Sequence, residues 1–248
     1  MKHLVITMAD EMYFPNGKLF LETRKRVHAD FLLYTPDETG LCEYSRRVCA
    51  HHEIDVRPVD QNQWNTMNQS LKFYYMAWNY REYDYVTMCD FDTFFISDWS
   101  KVVFGNDFVF GVTTTEGYPQ HNYLRSKVNG GVIFLKNHQD TKSMLGIAHK
   151  CIKDGGHIDL PQYDQIWKTL EDPKRRDGKR HYRTNHAWWC DQVFLSALVI
   201  HGGYNVRAFP CKRFNALDSR PDTSDIPGVY IKHLKSANRI VKKGTISG

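Results

Sequence analysis

Tyr83-Asp84-Tyr85-Val86-Thr87-Met88-Cys89-Asp90-Phe91-Asp92-Thr93-Phe94-Phe95-Ile96 is the stretch on which the fold turns. Its first seven residues are rich in β-formers and read as a buried strand. Its last four continue the apolar character beyond two acidic residues. Side chains two apart on an extended segment point to the same side, so Asp90 and Asp92 can converge on one point at the strand's carboxyl end. In open α/β sheets that end is where ligands bind. Two carboxylates there suit a hard divalent cation that keeps open positions for phosphate oxygens. An exposed acidic turn after a strand has the same local sequence, so the surrounding chain must decide.

Outward from this strand, apolar runs alternate with helical spacing. Leu4–Thr7 reads as a first strand and Phe31-Leu32-Leu33-Tyr34 as a second, ended by Thr35-Pro36-Asp37. Between them Lys18–His28 has helical spacing, with Leu19, Phe20 and Val27 apolar. Glu53–Val59 reads as a third strand, and Ser70–Arg81 as an amphipathic helix leading into the Asp90 strand. Phe108–Val112 and Val132–Leu135 read as further strands, the latter preceded by Asn129-Gly130-Gly131. Helices are expected over Thr141–Lys153, Asp159–Leu170 and Cys190–Ile200, and a last strand at Val229-Tyr230-Ile231. Strands alternating with helices predict an α/β fold with a mostly parallel sheet flanked by helices. No repeat, low-complexity segment or long linker divides the chain, so residues 1–248 are expected to form one domain.

The bulk composition narrows the field. Of 248 residues, 42% are hydrophobic and 14% aromatic, enough for a substantial core and against disorder. The net charge of +5 is small for this length. It fits an anionic small-molecule substrate and does not call for nucleic acid. No apolar run approaches the roughly 18–20 residues of a membrane span. The opening residues, Met1 to Thr7, read as a core strand rather than a secretory signal, so a cytoplasmic location is expected. The 6 cysteines lack C-x-x-C spacing and are expected to be free thiols. Glu171–Arg183 is strongly basic and reads as a solvated loop.

Separated elements along nearly the whole chain, taken together, resemble the GT-A glycosyltransferases, closest to the retaining group that includes glycogenin and the bacterial lipopolysaccharide galactosyltransferases. Ala9-Asp10-Glu11-Met12-Tyr13 resembles the family's A-D-x-x-Y after the first strand. The resemblance implies that Asp10 bonds the uracil edge and Tyr13 stacks on the base, with Thr7 and Ala9 at the same nucleotide-binding end. Read by itself, Asp10 is equally a cap of a helical turn. Lys72 stands where the family has a basic residue that contacts the diphosphate or sugar. Asp90-Phe91-Asp92 resembles its D-x-D, with Phe91 in place of a small middle residue and pointing away from the metal. Asn129-Gly130-Gly131 resembles the family's N-x-G, whose glycines let backbone approach the sugar; a plain turn before a strand is the alternative. Asp191-Gln192 resembles its D/E-Q, which implies that Asp191 binds donor-sugar hydroxyls and Gln192 lies near the anomeric centre. Ile231-Lys232-His233-Leu234 resembles the start of a late H-x-x-G-x-x-K. This makes His233 a third metal ligand beside Asp90 and Asp92, with Arg239 at the phosphate-binding position and Lys235 as a competing partner. Ser236 in place of glycine and Arg239 in place of lysine depart from the family pattern.

The activity implied by this resemblance is a Mn²⁺- or Mg²⁺-dependent transfer of a sugar from a UDP-sugar to a hydroxyl of a carbohydrate acceptor, with retention. Residues 1–112 would hold the nucleotide sugar and 113–248 the acceptor. Tyr118, His121, Tyr123 and Arg125, with Trp188 and Trp189, have the ring faces and donors that suit sugar recognition. A phosphatase of the haloacid-dehalogenase type, a sugar nucleotidyltransferase and a non-catalytic sugar- or nucleic-acid-binding module are the competing readings. The first lacks its usual glycine after the second aspartate, since Thr93 follows Asp92. The second lacks a glycine-rich phosphate loop near the start.

Overall fold

Alternation along the first apolar run sorts side chains to the two faces of the sheet. In β1 (His3–Met8), Leu4 and Ile6 join one buried cluster and Val5 the other, as a two-residue period requires. The computed structural model describes residues 1–67, 71–114, 128–153, 195, 203–218, 224 and 226–234. The strands that follow are β2 (Asp30–Pro36), β3 (Ile54–Val59), β4 (Tyr85–Cys89), β5 (Thr93–Phe95), β6 (Phe110–Thr114), β7 (Val128–Lys136), β8 (Val206–Pro210), β9 (Ala216–Asp218) and β10 (Ile231–Leu234). Seven of them form one sheet in the order β3-β2-β1-β4-β7-β6-β8, and β5-β10-β9 form a small second sheet. In the large sheet only the two pairings made by β7 are antiparallel. The fold is α/β with a mostly parallel central sheet.

Helices cover both faces. On one, Leu71, Phe73 and Met76 of the helix Leu71–Asn79 and Met144, Leu145 and Ala148 of the helix Gln139–Lys153 pack over Leu4, Ile6, Met88 and Ile133. On the other, Phe20 and Leu21 of the helix Lys18–Thr23 and Val103 and Phe104 of the helix Ser100–Phe104 pack over Val5, Leu33 and Phe134. Burial on both faces explains why the parallel strands read as continuous apolar runs.

Several boundaries differ from the sequence reading. The helix expected over Lys18–His28 stops at Thr23, followed by a single turn at Arg24–Arg26 and extended backbone at Val27. There the Thr23 hydroxyl donates to the Leu19 carbonyl at 2.6 Å and accepts from the Phe95 amide at 2.9 Å, tying the helix end to β5. The strand expected from Phe108 begins at Phe110. Asn129-Gly130-Gly131 lies inside β7 rather than in a turn before it, because β6 supplies a partner on that side. The last strand is Ile231–Leu234, shifted from Val229–Ile231 by pairing with β5 and β9. β8 escaped the sequence reading: it is a short edge strand with Arg207 and a terminal Pro210, and edge strands tolerate both. The helices expected at Asp159–Leu170 and Cys190–Ile200 and the basic loop lie outside the described residues, except Leu195, which is helical and fully buried.

Candidate functional site

The parallel neighbours β1 and β4 end on the same edge of the large sheet, and the small sheet closes over that edge. After β4 the backbone turns at Asp90, whose carbonyl accepts from the Thr93 amide at 3.1 Å and the Thr93 hydroxyl at 2.7 Å. Gly131 of β7 accepts from the Asp90 amide at 2.9 Å, and the Asp92 carbonyl accepts from the Leu234 amide of β10 at 3.1 Å. The acidic turn is thus fastened on both sides. Phe91 anchors it from beneath: its ring is 1% exposed and packs against Phe14 and Phe20, with centroids 5.6 and 5.2 Å apart. Its side chain belongs to the core, so only its backbone is available to a ligand at this edge.

With Phe91 turned inward, Asp90 and Asp92 face His233. The imidazole Nε2 stands 3.0 Å from Asp92 Oδ1 and 3.9 Å from Asp90 Oδ2. One ligand atom from each of the three side chains lies within 4.8 Å of the other two. Asp92 is 1% exposed and His233 7%, whereas Asp90 is half-buried and opens towards solvent. Lys72, on the helix Leu71–Asn79, pairs its ammonium with Asp90 Oδ1. Among the described residues, two carboxylates, one imidazole and one ammonium thus converge at this strand end. The donor set of two carboxylates and one imidazole fits a divalent metal with positions left open.

Behind His233 a polar chain runs into the large sheet. His233 Nδ1 lies 3.0 Å from Asn215 Oδ1, and Asn215 Nδ2 donates to Thr113 Oγ1 at 3.5 Å. The Thr113 hydroxyl has the carbonyls of Asn129 and Val132 as acceptors, both at 3.2 Å. Asn215 and Thr113 are fully buried. The sequence reading did not single out either residue. Asn215 follows a four-residue helical turn, Cys211–Phe214, and no local pattern marks it.

At the end of β1, Thr7 and Ala9 are buried, and Ala9 donates its amide to the Tyr34 carbonyl at 3.0 Å. Asp10 Oδ1 accepts from the Tyr13 amide at 2.7 Å, so Asp10 caps the turn that carries Tyr13. Glu11 latches this loop to the start of the helix Glu43–His51, accepting from the Cys42 amide at 2.8 Å and the Ser45 hydroxyl at 3.0 Å. Burial pushes the Glu11 carboxyl up, but the donors from Cys42 and Ser45 outweigh it and hold it below its usual range. Cys89, fully buried just before Asp90, has its thiol pushed up to about 12 by burial. Cys42, Cys49, Cys89 and Cys211 are free thiols.

The structure therefore brings together Asp90, Asp92, His233 and Lys72, with Gly131 packed behind the imidazole. It sets the Ala9–Tyr13 loop at the same sheet edge. Asn129 and Gly130 lie in β7, where the pairing with β6 shifts register between Val112 and Thr113. Asp191, Gln192, Lys235 and Arg239 lie outside the described residues, as do Tyr118, His121, Tyr123, Arg125, Trp188 and Trp189. Among the described residues no helix is long and apolar enough to cross a membrane.

No protein-family model matches the chain, and no curated protein matches it in sequence. Solved structures do match. An active-site mutant of LgtC superposes with a TM-score of 0.55 at 12% identity, over 96% of this chain and 90% of the other. The galactosyltransferase LgtC in complex with donor and acceptor sugar analogues superposes with a TM-score of 0.52 at 15% identity, over 97% of this chain and 92% of the other. At such identities the likeness is one of fold, and it extends over nearly the whole length of both chains. The α/β architecture expected from the sequence is thus one that this chain shares, as a fold, with the LgtC structures.

Proposed function

We propose that this chain is a divalent-metal-dependent glycosyltransferase that moves a sugar from a nucleoside diphosphate, UDP in the first instance, to a hydroxyl of a carbohydrate acceptor. The observation that carries this reading is the convergence of Asp90, Asp92 and His233 at the carboxyl end of β4, with Lys72 paired to Asp90. The fold likeness to a galactosyltransferase solved with donor and acceptor sugar analogues supports it. Asp90, Asp92 and His233 would hold Mn²⁺ or Mg²⁺, which when bound supplies Lewis-acid neutralisation of charge on the departing diphosphate.

In this reading Lys72 adds a fixed positive charge where the leaving group develops its negative one, which is electrostatic stabilisation without reorganisation. Lys235 or Arg239 would add a second. Asp10 and Tyr13 would hold the base, by a polar edge contact and a ring face respectively. Thr7, Ala9, the Phe91 backbone and Asn129-Gly130-Gly131 would complete the donor wall. Asp191 would bind donor-sugar hydroxyls beside Gln192. Transfer with retention needs no strong enzymic nucleophile, since the leaving phosphate can take the acceptor proton on the same face. An inverting reaction would need a carboxylate opposite the diphosphate, and Asp191 is then the base. Residues 113–248 would shape the acceptor cleft, with Tyr123 and Trp189 stacking on sugar rings.

Calorimetric titration of UDP with and without Mn²⁺ tests the reading, followed by a panel of UDP-sugars assayed for metal-dependent hydrolysis. UDP affinity should fall on chelation, and Asp92→Asn should lower turnover by on the order of 10²–10³ while the chain stays folded. Equal UDP binding with and without metal would sink the assignment, and tighter binding of GDP would remove the uridine pocket alone.

A further inference from the structure

We infer that Asn215, itself oriented by Thr113, is the positioning residue that fixes the tautomer and ring orientation of His233 for metal binding. The inference rests on the metal-site reading above and concerns residues that touch neither metal nor nucleotide.

The direction of each hydrogen bond in the buried chain follows from the one before it. Thr113 Oγ1 has two carbonyl oxygens, of Asn129 and Val132, at 3.2 Å, and carbonyls only accept. The hydroxyl proton is therefore committed to them. What remains on Oγ1 is lone pair, and the group that faces it must be a donor. That group is the Asn215 amide nitrogen, at 3.5 Å. With Nδ2 turned to Thr113, Asn215 presents Oδ1 to His233 Nδ1 at 3.0 Å. An amide oxygen cannot donate, so Nδ1 must carry the proton. In a neutral imidazole the other nitrogen, Nε2, then holds a lone pair, and Nε2 is the atom that faces Asp92 and Asp90. Two backbone carbonyls in β7 thereby dictate which nitrogen of a residue on β10 can ligate.

Flipping the Asn215 amide would place its oxygen against Thr113 and strip the Asn129 and Val132 carbonyls of their hydroxyl donor. All the side chains in this relay are buried, so water does not readily make good the loss. Gly131 provides an independent sign that the contact is built. A Cβ there would lie 2.9 Å from Asn215 Nδ2 and 3.1 Å from His233 Nδ1. The absent side chain is what lets amide and imidazole meet.

Outer partners of this kind typically set metal affinity by about 10–100-fold. The probes are Mn²⁺, whose free fraction is read by electron paramagnetic resonance, and Co²⁺, which shifts the exchangeable ring N–H of a ligating histidine out of the protein envelope in proton NMR. Wild-type protein with UDP should bind one Mn²⁺, and its Co²⁺ form should show one shifted N–H that disappears in His233→Ala. Asn215→Leu should weaken Mn²⁺ by about 10–100-fold and lose or broaden that signal. Asn215→Asp, which still accepts from Nδ1–H, should restore both. Thr113→Val keeps side-chain volume but frees the amide to flip. It should weaken Mn²⁺ in the same direction although it does not touch His233, and it serves if Asn215→Leu fails to fold. If wild-type protein binds no metal, the metal-site reading falls and this inference with it. If wild-type protein binds metal but Thr113→Val and a folded Asn215→Leu bind it within twofold of wild type, the relay is overturned and the metal site stands. A shifted N–H that persists in Asn215→Leu overturns it equally.

Discussion

At the scale of single residues, the middle position of the acidic triplet shows how a site is fixed from below. A large ring between two aspartates would crowd the cleft if it faced outward, but Phe91 is swallowed by the aromatic cluster of Phe14 and Phe20. Room for it comes from Gly17, where any Cβ would clash with one edge of the Phe91 ring. The two positions are therefore complementary. Phe91→Ala should cost about 3–5 kcal/mol through the cavity it leaves. Gly17→Ala should cost about 1–3 kcal/mol through overpacking. Made together they should cost less than their sum, because the new methyl enters the space the ring vacates. Denaturant unfolding of the four proteins measures the cycle, and strict additivity would show that the two sites do not share that space.

At the scale of elements, the site depends on an irregularity in β7. Between Val112 and Thr113 the β6–β7 register jumps, so that Val112 faces Ile133 while Thr113 faces Asn129. The extra residues on β7 form a bulge, and bulges commonly re-aim backbone at the rim of a sheet. Here the bulge holds the Asp90 amide through the Gly131 carbonyl and is itself tied by Asn129 Oδ1, which accepts from the Gly131 amide at 2.7 Å. Gly131→Ala would place a methyl 3.0 Å from Asn129 Oδ1 and 3.1 Å from His233 Nδ1. Its neighbours would have to move by a few tenths of an ångström. The expected result is a loss of Mn²⁺-supported UDP affinity of about 10-fold with little change in thermal unfolding. A large drop in unfolding temperature with unchanged affinity would place the role of Gly131 in the sheet and not in the site.

At the scale of the whole molecule, stability should depend on pH through His3, far along the chain from the acidic triplet. His3 is buried, with Nε2 2.9 Å from the Thr87 hydroxyl and Nδ1 3.3 Å from that of Ser100. Its ring meets Trp99 and Phe104 edge-on. Burial lowers its pKa from the ordinary 6.5 to about 4, against the opposing pull of Asp98 and Asp30. The unfolded chain thus takes up this proton below about pH 6.5, while the folded chain resists it until about pH 4. The contribution is whole above the upper value, shrinks as pH falls between the two, and is gone below the lower one. Its size is on the order of 3 kcal/mol. Unfolding followed by urea from pH 7 to pH 4 should show this loss, and His3→Gln should flatten the profile across that window. An unchanged slope in His3→Gln would assign the dependence to other groups.

The sequence by itself determined what is local or periodic. Apolar runs in β1, β2 and β4 gave away strands buried on both faces, and the spacing of Leu71, Phe73 and Met76 gave away the buried side of the helix Leu71–Asn79. Asp90 and Asp92 were legible as an acidic pair closing an apolar run, but they lie in the turn after β4, so it is that turn and not the alternation of an extended strand that brings them together. His233 was reached only through resemblance, since nothing in Ile231–Leu234 says what stands opposite it. Tertiary structure decided the rest. The direction of β7, the edge position of β8 and the bulge at Asn129–Gly131 depend on which strands lie alongside. Asn215, separated from Thr113 and His233 along the chain, acquires its place only when the small sheet packs against the large one. A short polar side chain has no periodicity to betray it, and its hydrogen-bond partners exist only in the folded protein.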